Sequence, residues 1–419
     1  MEASEGRPST LRTSSHLKIR GSPLQKQHWN PTYSSLEVGK DGRSLFILTS
    51  DGRGTRILAK WLRDVCSCPE CRNPETKQRR VNVFRASAEA TKVVKVTRQL
   101  LPERISVEFA DGHKTVVDAS ILHARGSIED AAQREGIVPV RTWGQEIAEA
   151  PPEVSYSRII AGSKGMADLL MNIRTYGFCF VDEMPATPEA SENLLNMIGP
   201  IRNTHYGAFY DFTSDLSSKD TAYTSEALEP HTDNIYFTEP AGLQALHLLS
   251  HTDGSGGESS LVDGFAVAEQ LFFQRLDAYK LLTTTGVYGH ASGNEGISIQ
   301  SAKPFPTFTH GGTHAKLIQV RWNNADRAGV DIGWKDLHNW YEAAGIFDGM
   351  LNDVKNQYWF QLKPGKMLLF DNWRVLHGRA AFTGKRRMCG GYINRDDWVS
   401  RFRTLNFEKA EVERSTLTG

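Results

Sequence analysis

The sequence predicts a mainly β fold with flanking helices, arranged as a β-sandwich or a jelly-roll barrel. Short apolar runs, and runs in which apolar and polar residues alternate, recur along most of the chain. Turn signals containing Gly or Pro separate many of these runs, as in antiparallel sheets. The regular alternation of strand and helix that a doubly wound parallel sheet requires is missing. Many strands with a few helices therefore favour a sandwich or a jelly-roll.

Composition and charge are those of an ordinary folded protein. Of the 419 residues, 39% are hydrophobic and 23% are charged, far from the composition of disordered chains. The 49 Lys and Arg residues balance the 49 Asp and Glu residues, so no net charge attracts nucleic acid or anionic lipid. No run approaches the roughly 18 apolar residues of a membrane span, and the N-terminus lacks a secretory signal. We therefore expect a soluble intracellular protein that binds neither nucleic acid nor membranes.

The first 35 residues differ from the rest of the chain. They are rich in Ser, Pro, Lys and Arg and lack apolar periodicity, so residues 1–35 are predicted to form a mobile tail. The basic residues suit a mitochondrial transit peptide, whereas such peptides avoid acids like Glu2 and Glu5. Two compartments therefore stay open, the mitochondrial matrix and the cytosol.

A small antiparallel β domain is predicted for residues 36–150. Its predicted strands are 45–48, 55–58 and 105–109. The Asp-Gly pair at 111–112 signals a hairpin and places His113 directly after the turn. Pro151 and Pro152 indicate a stiff linker at the end of this domain.

Three of the five cysteines, Cys66, Cys68 and Cys71, lie within six residues of one another. Such spacing cannot build a disulfide framework, and clustered thiols in a reducing compartment indicate metal binding. Together with His113 they supply the closed tetrahedral shell of a structural zinc site, whose role is stability. The alternative is a loop of three reduced cysteines beside a surface histidine.

Residues 154–412 are predicted to form a larger β domain. Its predicted strands include 178–181, 243–249, 317–322, 358–362, 367–370 and 388–393. A Pro-Gly pair at 364–365 indicates a tight turn between two of them. One amphipathic helix is indicated by apolar residues at helical spacing, namely Leu337, Trp340, Tyr341 and Ala344.

His231, Thr232 and Asp233 form a candidate iron site. A His-x-Asp pair with a distant histidine supplies the two-histidine, one-carboxylate triad of non-haem Fe(II) oxygenases, which leaves three coordination positions open. His377, within a predicted strand, is the candidate third ligand. A histidine satisfied in the core is the alternative for His377 taken alone.

The same tripeptide recurs at His251, Thr252 and Asp253, so at least one copy is coincidental. The second copy runs into a Gly-rich loop at 254–257, whereas a metal ligand must be held within about half an ångström by rigid elements. The first copy leads into an apolar run at 234–237, which predicts a strand. We therefore assign the metal to the first copy.

Arg386 is the candidate partner of a carboxylate. Arg386 and Tyr392 fall on the same face of one predicted strand by the period of two. A dicarboxylic cosubstrate that chelates iron through its keto-acid end would present its far carboxylate to this guanidinium. A buried structural salt bridge is the alternative.

Four longer segments carry a family resemblance. They are Asp-Thr-Ala-Tyr-Thr at 220–224, Leu-Val-Asp-Gly-Phe at 261–265, Phe-Asp-Asn-Trp-Arg-Val-Leu-His-Gly-Arg at 370–379, and Tyr392 followed by Arg395, Asp396 and Asp397. Together they resemble the trimethyllysine dioxygenase and γ-butyrobetaine dioxygenase family of Fe(II)- and 2-oxoglutarate-dependent oxygenases. The resemblance covers nearly everything beyond the tail. It implies a double-stranded β-helix (jelly-roll) for residues 154–412, a zinc-binding small domain and a homodimer.

The resemblance also implies cofactors and site residues. Fe(II) is expected on His231, Asp233 and His377, with 2-oxoglutarate as cosubstrate and ascorbate as reductant. The implied contacts to 2-oxoglutarate are Arg386, Ser259 and Leu246. An aromatic cage for a quaternary ammonium, which ring faces hold because it cannot hydrogen-bond, is implied at Tyr206, Tyr210, Tyr223 and Tyr392. A further substrate contact is expected from Asp220, and Asn323 and Asn324, followed by Arg327, are looser candidates for binding the substrate's carboxylate.

The implied activity is hydroxylation of N6-trimethyllysine at C3 with O2, the first step of carnitine biosynthesis. Hydroxylation of γ-butyrobetaine is the second hypothesis, and a non-catalytic zinc-stabilised module that binds quaternary ammonium ligands is the third. Both candidate substrates carry a trimethylammonium and a carboxylate, but only trimethyllysine carries an α-ammonium. Asp220 is the predicted partner of that charge. Its alternative role is to cap a turn.

Overall fold

The computed structural model describes residues 33–49, 54–100, 103–118, 140–213, 224–311, 316–410 and 412–413. The chain divides into two compact units, Met1–Ala119 (unit 1) and Ser120–Gly419 (unit 2). In the described residues, no helix is long and apolar enough to cross a membrane.

The described part of unit 1 contains two antiparallel sheets. One consists of β1 (Tyr33–Val38), β2 (Ser44–Thr49) and β3 (Gly54–Leu58), and the other of β4 (Val93–Leu100), β5 (Glu103–Phe109) and β6 (Lys114–Asp118). Helix α1 (Ala59–Asp64) follows β3, and a 3₁₀ turn spans Val83–Arg85. The alternation along β5 buries Ile105, Val107 and Phe109. The antiparallel strands predicted for this region are therefore confirmed.

The hairpin between β5 and β6 presents His113. Gly112 has a φ of +83°, in the left-handed region that favours glycine. Its N–H donates to the Phe109 carbonyl (2.9 Å), and the N–H of His113 donates to Asp111 Oδ1 (3.0 Å). The predicted hairpin is confirmed, and it fixes the backbone of His113.

Unit 2 is a β-rich body with helices around it. Its strands are β7 (Glu153–Ser155), β8 (Phe178–Asp182), β9 (Phe209–Thr213), β10 (Leu228–His231), β11 (Leu243–Thr252), β12 (Ser259–Asp263), β13 (Gly286–Val287), β14 (His290–Ala291), β15 (Ile299–Gln300), β16 (Phe305–Pro306), β17 (Phe308–Gly311), β18 (Lys316–Val320), β19 (Gln357–Phe360), β20 (Met367–Asp371), β21 (Val375–Arg379) and β22 (Lys385–Ile393). Its helices are α2 (Tyr156–Ile160), α3 (Ser163–Tyr176), α4 (Pro188–Ile198), α5 (Gly264–Gln274), α6 (Leu276–Thr284), α7 (Trp334–Leu351) and α8 (Arg395–Asn406), and 3₁₀ turns span Gln145–Glu149 and Val354–Asn356.

Two main sheets form the body of unit 2. The larger has the order β7-β8-β20-β11-β22-β9 and the smaller β10-β21-β12-β19, with every neighbouring pair antiparallel except β7 and β8. Side chains of both sheets meet in one apolar cluster, to which the larger sheet contributes Phe178 and Phe370 and the smaller sheet Leu261 and Val375. The prediction of a mainly β domain with flanking helices is confirmed.

Helices cover the two sheets of unit 2. Helices α3, α4 and α8 share an apolar cluster with the larger sheet, and α5, α6 and α7 share one with the smaller sheet. The predicted amphipathic helix lies within α7, where Trp340 and Ala344 are buried. Tyr341, expected on the same face, is 49% exposed because the buried stripe continues through Ala343 and Phe347 instead.

Two predicted boundaries differ from the structure. Residues 33–35, predicted as the end of the tail, begin β1, while residues 1–32 lie outside the described part. The small domain was expected to extend to residue 150, but Trp143 and Ile147 pack in the apolar cluster between the main sheets of unit 2. Trp143 also donates its indole N–H to the Tyr176 carbonyl (2.6 Å), which ties this segment to unit 2.

His247 on β11 is a fully buried titratable group of the larger sheet. The N–H of Gly365 donates to its Nε2 (3.3 Å), and its Nδ1 lies 2.8 Å from Ser191 Oγ. Because Nε2 accepts, the proton of the neutral ring sits on Nδ1 and is donated to the serine. Burial lowers the pKa of His247 to about 4.

We expect His247 to make the protein less stable as the pH falls below neutrality. The unfolded chain, whose histidine has the ordinary pKa of 6.5, takes up the proton first, so stability is lost between about pH 6.5 and about pH 4. Denaturant unfolding of the wild type and of His247→Gln across this range checks it. Over this range the free energy of unfolding of the wild type should fall by up to about 3 kcal/mol more than that of the variant. Equal losses would contradict this role for His247.

Candidate active site

A cavity of about 430 Å³ lies in unit 2 and is lined by both main sheets. Its size suits a small-molecule ligand. It brings together most of the predicted site residues, namely Tyr206, Tyr210, His231, Asp233, Leu246, Ser259, Asn323, Asn324, His377, Arg386 and Tyr392. The predicted residues Asp220 and Tyr223 lie outside the described part of the chain.

Two strands of the smaller sheet position the predicted iron triad. His231 ends β10, His377 lies on β21, and the antiparallel register pairs the two residues with their ring centroids 4.3 Å apart. Asp233 Oδ1 lies 3.2 Å from His231 Nε2 and 4.0 Å from His377 Nε2. One donor atom from each residue fits within a group no more than 4.8 Å across. The structure therefore gathers the three side chains as an iron site requires.

The chain turns directly after Asp233. The strand predicted over 234–237 is wrong, because Asn234 has a φ of +63° and the N–H of Phe237 donates to the Asn234 carbonyl (2.9 Å). Asn372 holds this turn in place. Its Oδ1 accepts from the N–H of Asp233 (2.8 Å), and its Nδ2 donates to the Asp233 carbonyl (3.0 Å). The backbone clamp supplies the rigidity that the strand was expected to give.

Further hydrogen bonds orient two of the triad side chains. His231 Nδ1 donates to the Glu229 carbonyl (2.8 Å), which fixes the ring with Nε2 beside Asp233. The Tyr392 hydroxyl donates to Asp233 Oδ2 (2.7 Å), which leaves Oδ1 beside the two histidines. Two imidazoles and one carboxylate that converge in this way fit Fe(II) in a facial site with open positions.

Burial and neighbouring charges set the protonation of the triad. Burial and the charge of His231 lower the pKa of His377 to about 3. Burial alone would raise the pKa of Asp233, but the hydrogen bonds from His231 and Tyr392 hold it well below its usual range. Burial alone would lower the pKa of His231, but the hydrogen bond and charge of Asp233 raise it. Asp233 is thus ionised and His377 neutral, the forms that bind a divalent cation, and His231 gives up its Nε2 proton when a metal binds.

The second His-Thr-Asp copy lies at the end of β11. His251 Nε2 donates to the Thr383 carbonyl (2.8 Å), and Asp253 has a φ of +60° in the following turn. Among the described residues, His251 joins no group of His, Cys, Asp and Glu that could hold a metal. The hydrogen bond of His251 therefore links the end of β11 to the turn before β22.

Arg386 on β22 is only 2% exposed, and its Nε makes no hydrogen bond within the described residues. The ring of Phe382 packs 4.9 Å from its guanidinium carbon. Gly257 leaves room for this side chain, since a Cβ there would lie 3.0 Å from Arg386 Nη1. Ser259 and Leu246 line the same cavity. A buried guanidinium with an unused donor fits an incoming carboxylate.

Arg379 is a cavity residue that the sequence reasoning missed. It donates to the carbonyls of Thr224 (2.8 Å) and Glu226 (2.7 Å), and its guanidinium lies 4.8 Å from the Phe382 ring centroid. Burial and the charge of Arg386 lower its pKa to about 10. The period of two from His377 along β21 could have identified it, because it places both side chains on one face. Two arginines thus serve one cavity, which favours anionic ligands.

Tyrosines form another wall of the cavity. The rings of Tyr210 and Tyr392 stand 5.8 Å apart at 63°, and the Tyr210 hydroxyl donates to the Ala245 carbonyl (2.7 Å). Tyr206 also lines the cavity. Tyr236 also lines the cavity and was missed, because the strand wrongly predicted over 234–237 did not show that a turn places it there.

The turn after β18 supplies a polar wall. Asn323 and Asn324 line the cavity as predicted. Arg327, proposed with them, does not: its Nε donates to Asn324 Oδ1 (2.8 Å), and its guanidinium lies over the rings of Trp340 (5.8 Å) and Tyr341 (5.9 Å). These contacts with α7 keep the arginine out of the cavity lining.

The predicted zinc ligands converge in unit 1. The sulfurs of Cys66, Cys68 and Cys71 lie 3.4, 3.8 and 3.5 Å from His113 Nε2. A tetrahedral ion with ordinary zinc bond lengths requires S···N distances of about 3.6 Å. Glu70 Oε2 lies 3.5 Å from His113 Nδ1, where it can orient the ring. The geometry fits a closed zinc shell.

Comparisons with known proteins match both parts of the chain. The protein-family model described as "Taurine catabolism dioxygenase TauD, TfdA family" matches residues 136–392. A second family model, "Gamma-butyrobetaine hydroxylase-like, N-terminal", matches residues 36–122.

Curated relatives align over most of the sequence. A trimethyllysine dioxygenase of Neurospora crassa is 41% identical, covering 86% of this chain and 83% of the relative. One from Meyerozyma guilliermondii is 36% identical, covering 90% of this chain and 97% of the relative. A gamma-butyrobetaine dioxygenase from a Pseudomonas species is 29% identical, covering 85% of this chain and 92% of the relative.

Replacing a triad histidine should abolish metal binding without unfolding the protein. His231→Ala and His377→Ala each remove one of three protein ligands, so Fe(II) affinity should fall by more than about 100-fold. Anaerobic calorimetry measures the affinity, and thermal melting monitors the fold. His251→Ala is the matched control and should bind Fe(II) like the wild type. If His251→Ala lost the metal and His231→Ala kept it, the iron site would have to be assigned to the second His-Thr-Asp copy.

Replacing a zinc ligand should instead destabilise the protein. The apparent binding energy of structural zinc is about 10 kcal/mol or more and contributes directly to folding. Cys68→Ser and His113→Ala should therefore lower the melting temperature and soluble yield. Metal analysis should find about one zinc per wild-type chain, independent of added iron. Cys179→Ala, which removes a buried cysteine outside the cluster, should keep its zinc. A folded, zinc-free wild type would rule out the site.

Proposed function

The chain belongs to the TauD and TfdA family of dioxygenases and, within it, to the trimethyllysine dioxygenases, and we propose that it hydroxylates N6,N6,N6-trimethyl-L-lysine at C3. The reaction consumes O2 and 2-oxoglutarate, yields succinate and CO2, and is the first step of carnitine biosynthesis. The observation that carries the proposal is the convergence of His231, Asp233 and His377 beside a wall of tyrosines in a chain 41% identical to a trimethyllysine dioxygenase.

The triad and the buried arginine have separate roles in this reaction. Fe(II), when bound, supplies the activation of O2 that is coupled to the oxidative decarboxylation of 2-oxoglutarate. His231, Asp233 and His377 would hold the metal. Arg386, supported by Ser259, pairs with the far carboxylate of 2-oxoglutarate and thereby orients the keto-acid end toward the metal.

The tyrosine wall binds the trimethylammonium of the substrate. This group has no N–H to donate, so it is attracted by the faces of Tyr206, Tyr210 and Tyr392. Tyr392 serves both sites, because its hydroxyl also donates to Asp233 Oδ2 (2.7 Å). The ring that contacts the substrate is thus fixed relative to the metal, which positions the substrate for reaction.

The remaining features of the proposal concern the frame of the enzyme. The two main sheets of unit 2 support a double-stranded β-helix, and the Cys66, Cys68, Cys71 and His113 cluster supports a structural zinc ion. A homodimer and the use of ascorbate as reductant follow from the resemblance to the family.

Hydroxylation of γ-butyrobetaine is the second candidate function. The N-terminal family model carries that name, and a gamma-butyrobetaine dioxygenase is 29% identical to the chain. The higher identity of 41% to a trimethyllysine dioxygenase favours the first candidate. The gathered triad speaks against a third, a module that only binds quaternary ammonium ligands.

The purified enzyme should prefer trimethyllysine to γ-butyrobetaine by at least about tenfold in kcat/KM, the value of one hydrogen bond to a charged group. Succinate formation with Fe(II), 2-oxoglutarate and each substrate in parallel measures the preference. Succinate formation by His377→Ala measures the background that does not depend on metal bound at the triad. A preference for γ-butyrobetaine would support the second candidate. Binding of trimethyllysine without turnover in the iron-loaded protein would support the third.

A further inference from the structure

The polar wall of the cavity carries an acidic residue, Asp326. It lies in the turn at 324–326 that follows β18, is half-buried and lines the cavity with Asn323 and Asn324. Of the other acids among the described lining residues, Asp233 belongs to the triad and Glu229 is exposed. Asp326 is therefore the described acid best placed to face a cationic ligand.

Asn323 holds Asp326 in a fixed position. Its Nδ2 donates to Asp326 Oδ2 (2.9 Å), and its Oδ1 accepts from the backbone N–H groups of Ala325 (3.0 Å) and Asp326 (3.2 Å). The N–H of His290 donates to the Asp326 carbonyl (2.8 Å). A carboxylate fixed in this way loses little conformational freedom when it binds a charge. Asn323 therefore uses one of its two amide N–H groups to bind Asp326, which leaves one N–H for a ligand.

Asp326 lies on the metal side of the cavity. The N–H of Thr232, which lies between the ligands His231 and Asp233, donates to the Trp322 carbonyl (2.7 Å). The N–H of Trp322 in turn donates to Thr232 Oγ1 (3.0 Å). The turn that carries Asp326 begins two residues after Trp322, and Asp326 lines the same cavity as His231 and Asp233.

The structure of trimethyllysine requires a negative charge in this region. Its reacting carbon, C3, is bonded to the carbon that bears the α-ammonium, so that nitrogen lies about 2.5 Å from the carbon presented to the metal. The trimethylammonium lies at the opposite end of the chain and suits the tyrosine wall. γ-Butyrobetaine has no ammonium beside its carboxyl end and gains nothing from an acid there. A carboxylate near the triad therefore distinguishes the two substrates.

We propose that Asp326 is the specificity residue for the α-ammonium: its carboxylate accepts a hydrogen bond from that group and places C3 before the metal, with Asn323 as its positioning residue. The proposal rests on the proposed function. It adds a described residue to the predicted partner Asp220, which lies outside the described residues.

Binding measurements with two ligands test the proposal. The ligands are trimethyllysine and 6-(trimethylammonio)hexanoate, the same chain without the α-amino group, and the protein is loaded with Fe(II) and 2-oxoglutarate without O2. Asp326→Asn should weaken trimethyllysine binding on the order of 10- to 100-fold and change binding of the hexanoate less than about threefold. Asp331→Asn removes an exposed acid further along the same loop and should change neither dissociation constant.

Several outcomes would overturn the role of Asp326. Equal weakening of both ligands would make Asp326 structural, and no weakening would remove it from the site. If Asp220→Asn lost the preference for trimethyllysine over the hexanoate and Asp326→Asn kept it, the role would belong to Asp220. If Asp326→Asn does not fold, Asp326→Glu should reduce the preference at least about threefold, and an unchanged preference would overturn the proposal. Failure of the wild type to oxidise trimethyllysine under O2 would instead overturn the proposed function.

Discussion

The ion pair between Arg374 and Asp263 fixes the part of unit 2 on which the metal site depends. Both side chains are almost completely buried, at 2% and 0% exposure, and they pair through two hydrogen bonds of 2.9 and 2.7 Å. The guanidinium also donates to the carbonyls of Thr175 (3.0 Å) and Arg141 (2.7 Å). A buried pair offsets its desolvation only when its donors are satisfied in this way. It joins the end of β12 to the start of β21, and thereby supports the register in which His377 lies opposite Leu261.

The turn before β21 extends this control to Asp233. Asp371 accepts from Arg395 (2.9 Å), Asn372 clamps the backbone of Asp233, and the Trp373 indole donates to the Pro240 carbonyl (3.1 Å). Each residue from Asp371 to Trp373 therefore contacts a segment that lies well away in the sequence. The long motif at 370–379 is specific for this reason: it supplies the ligand His377, pairs it with His231 across two strands, and clamps the backbone of Asp233.

Sequence reasoning succeeded where the information is local. Alternation located most strands, and the Asp-Gly pair located the hairpin that carries His113. It failed where the decisive partner is far along the chain. The turn after Asp233 depends on Asn372, 139 residues away, so the apolar run that follows looked like a strand and Tyr236 was missed. The guanidinium of Arg327 lies over Trp340 and Tyr341 on α7, and no local pattern predicts this contact. Arg379 could have been found, because the period of two from His377 was available in the sequence.

The site divides its chemistry between two kinds of structure. The triad and Arg386 stand on paired strands or on a turn clamped by buried hydrogen bonds, so their positions are set by the whole of unit 2. The walls that face the substrate come largely from turns and loops, among them the 324–326 turn with Asp326. A substitution in such a turn alters the charge offered to a ligand while the register of His231 and His377 stays unchanged. Substrate choice can therefore change without loss of the metal site, and the residues that decide between two related amines belong on the turns rather than on the strands.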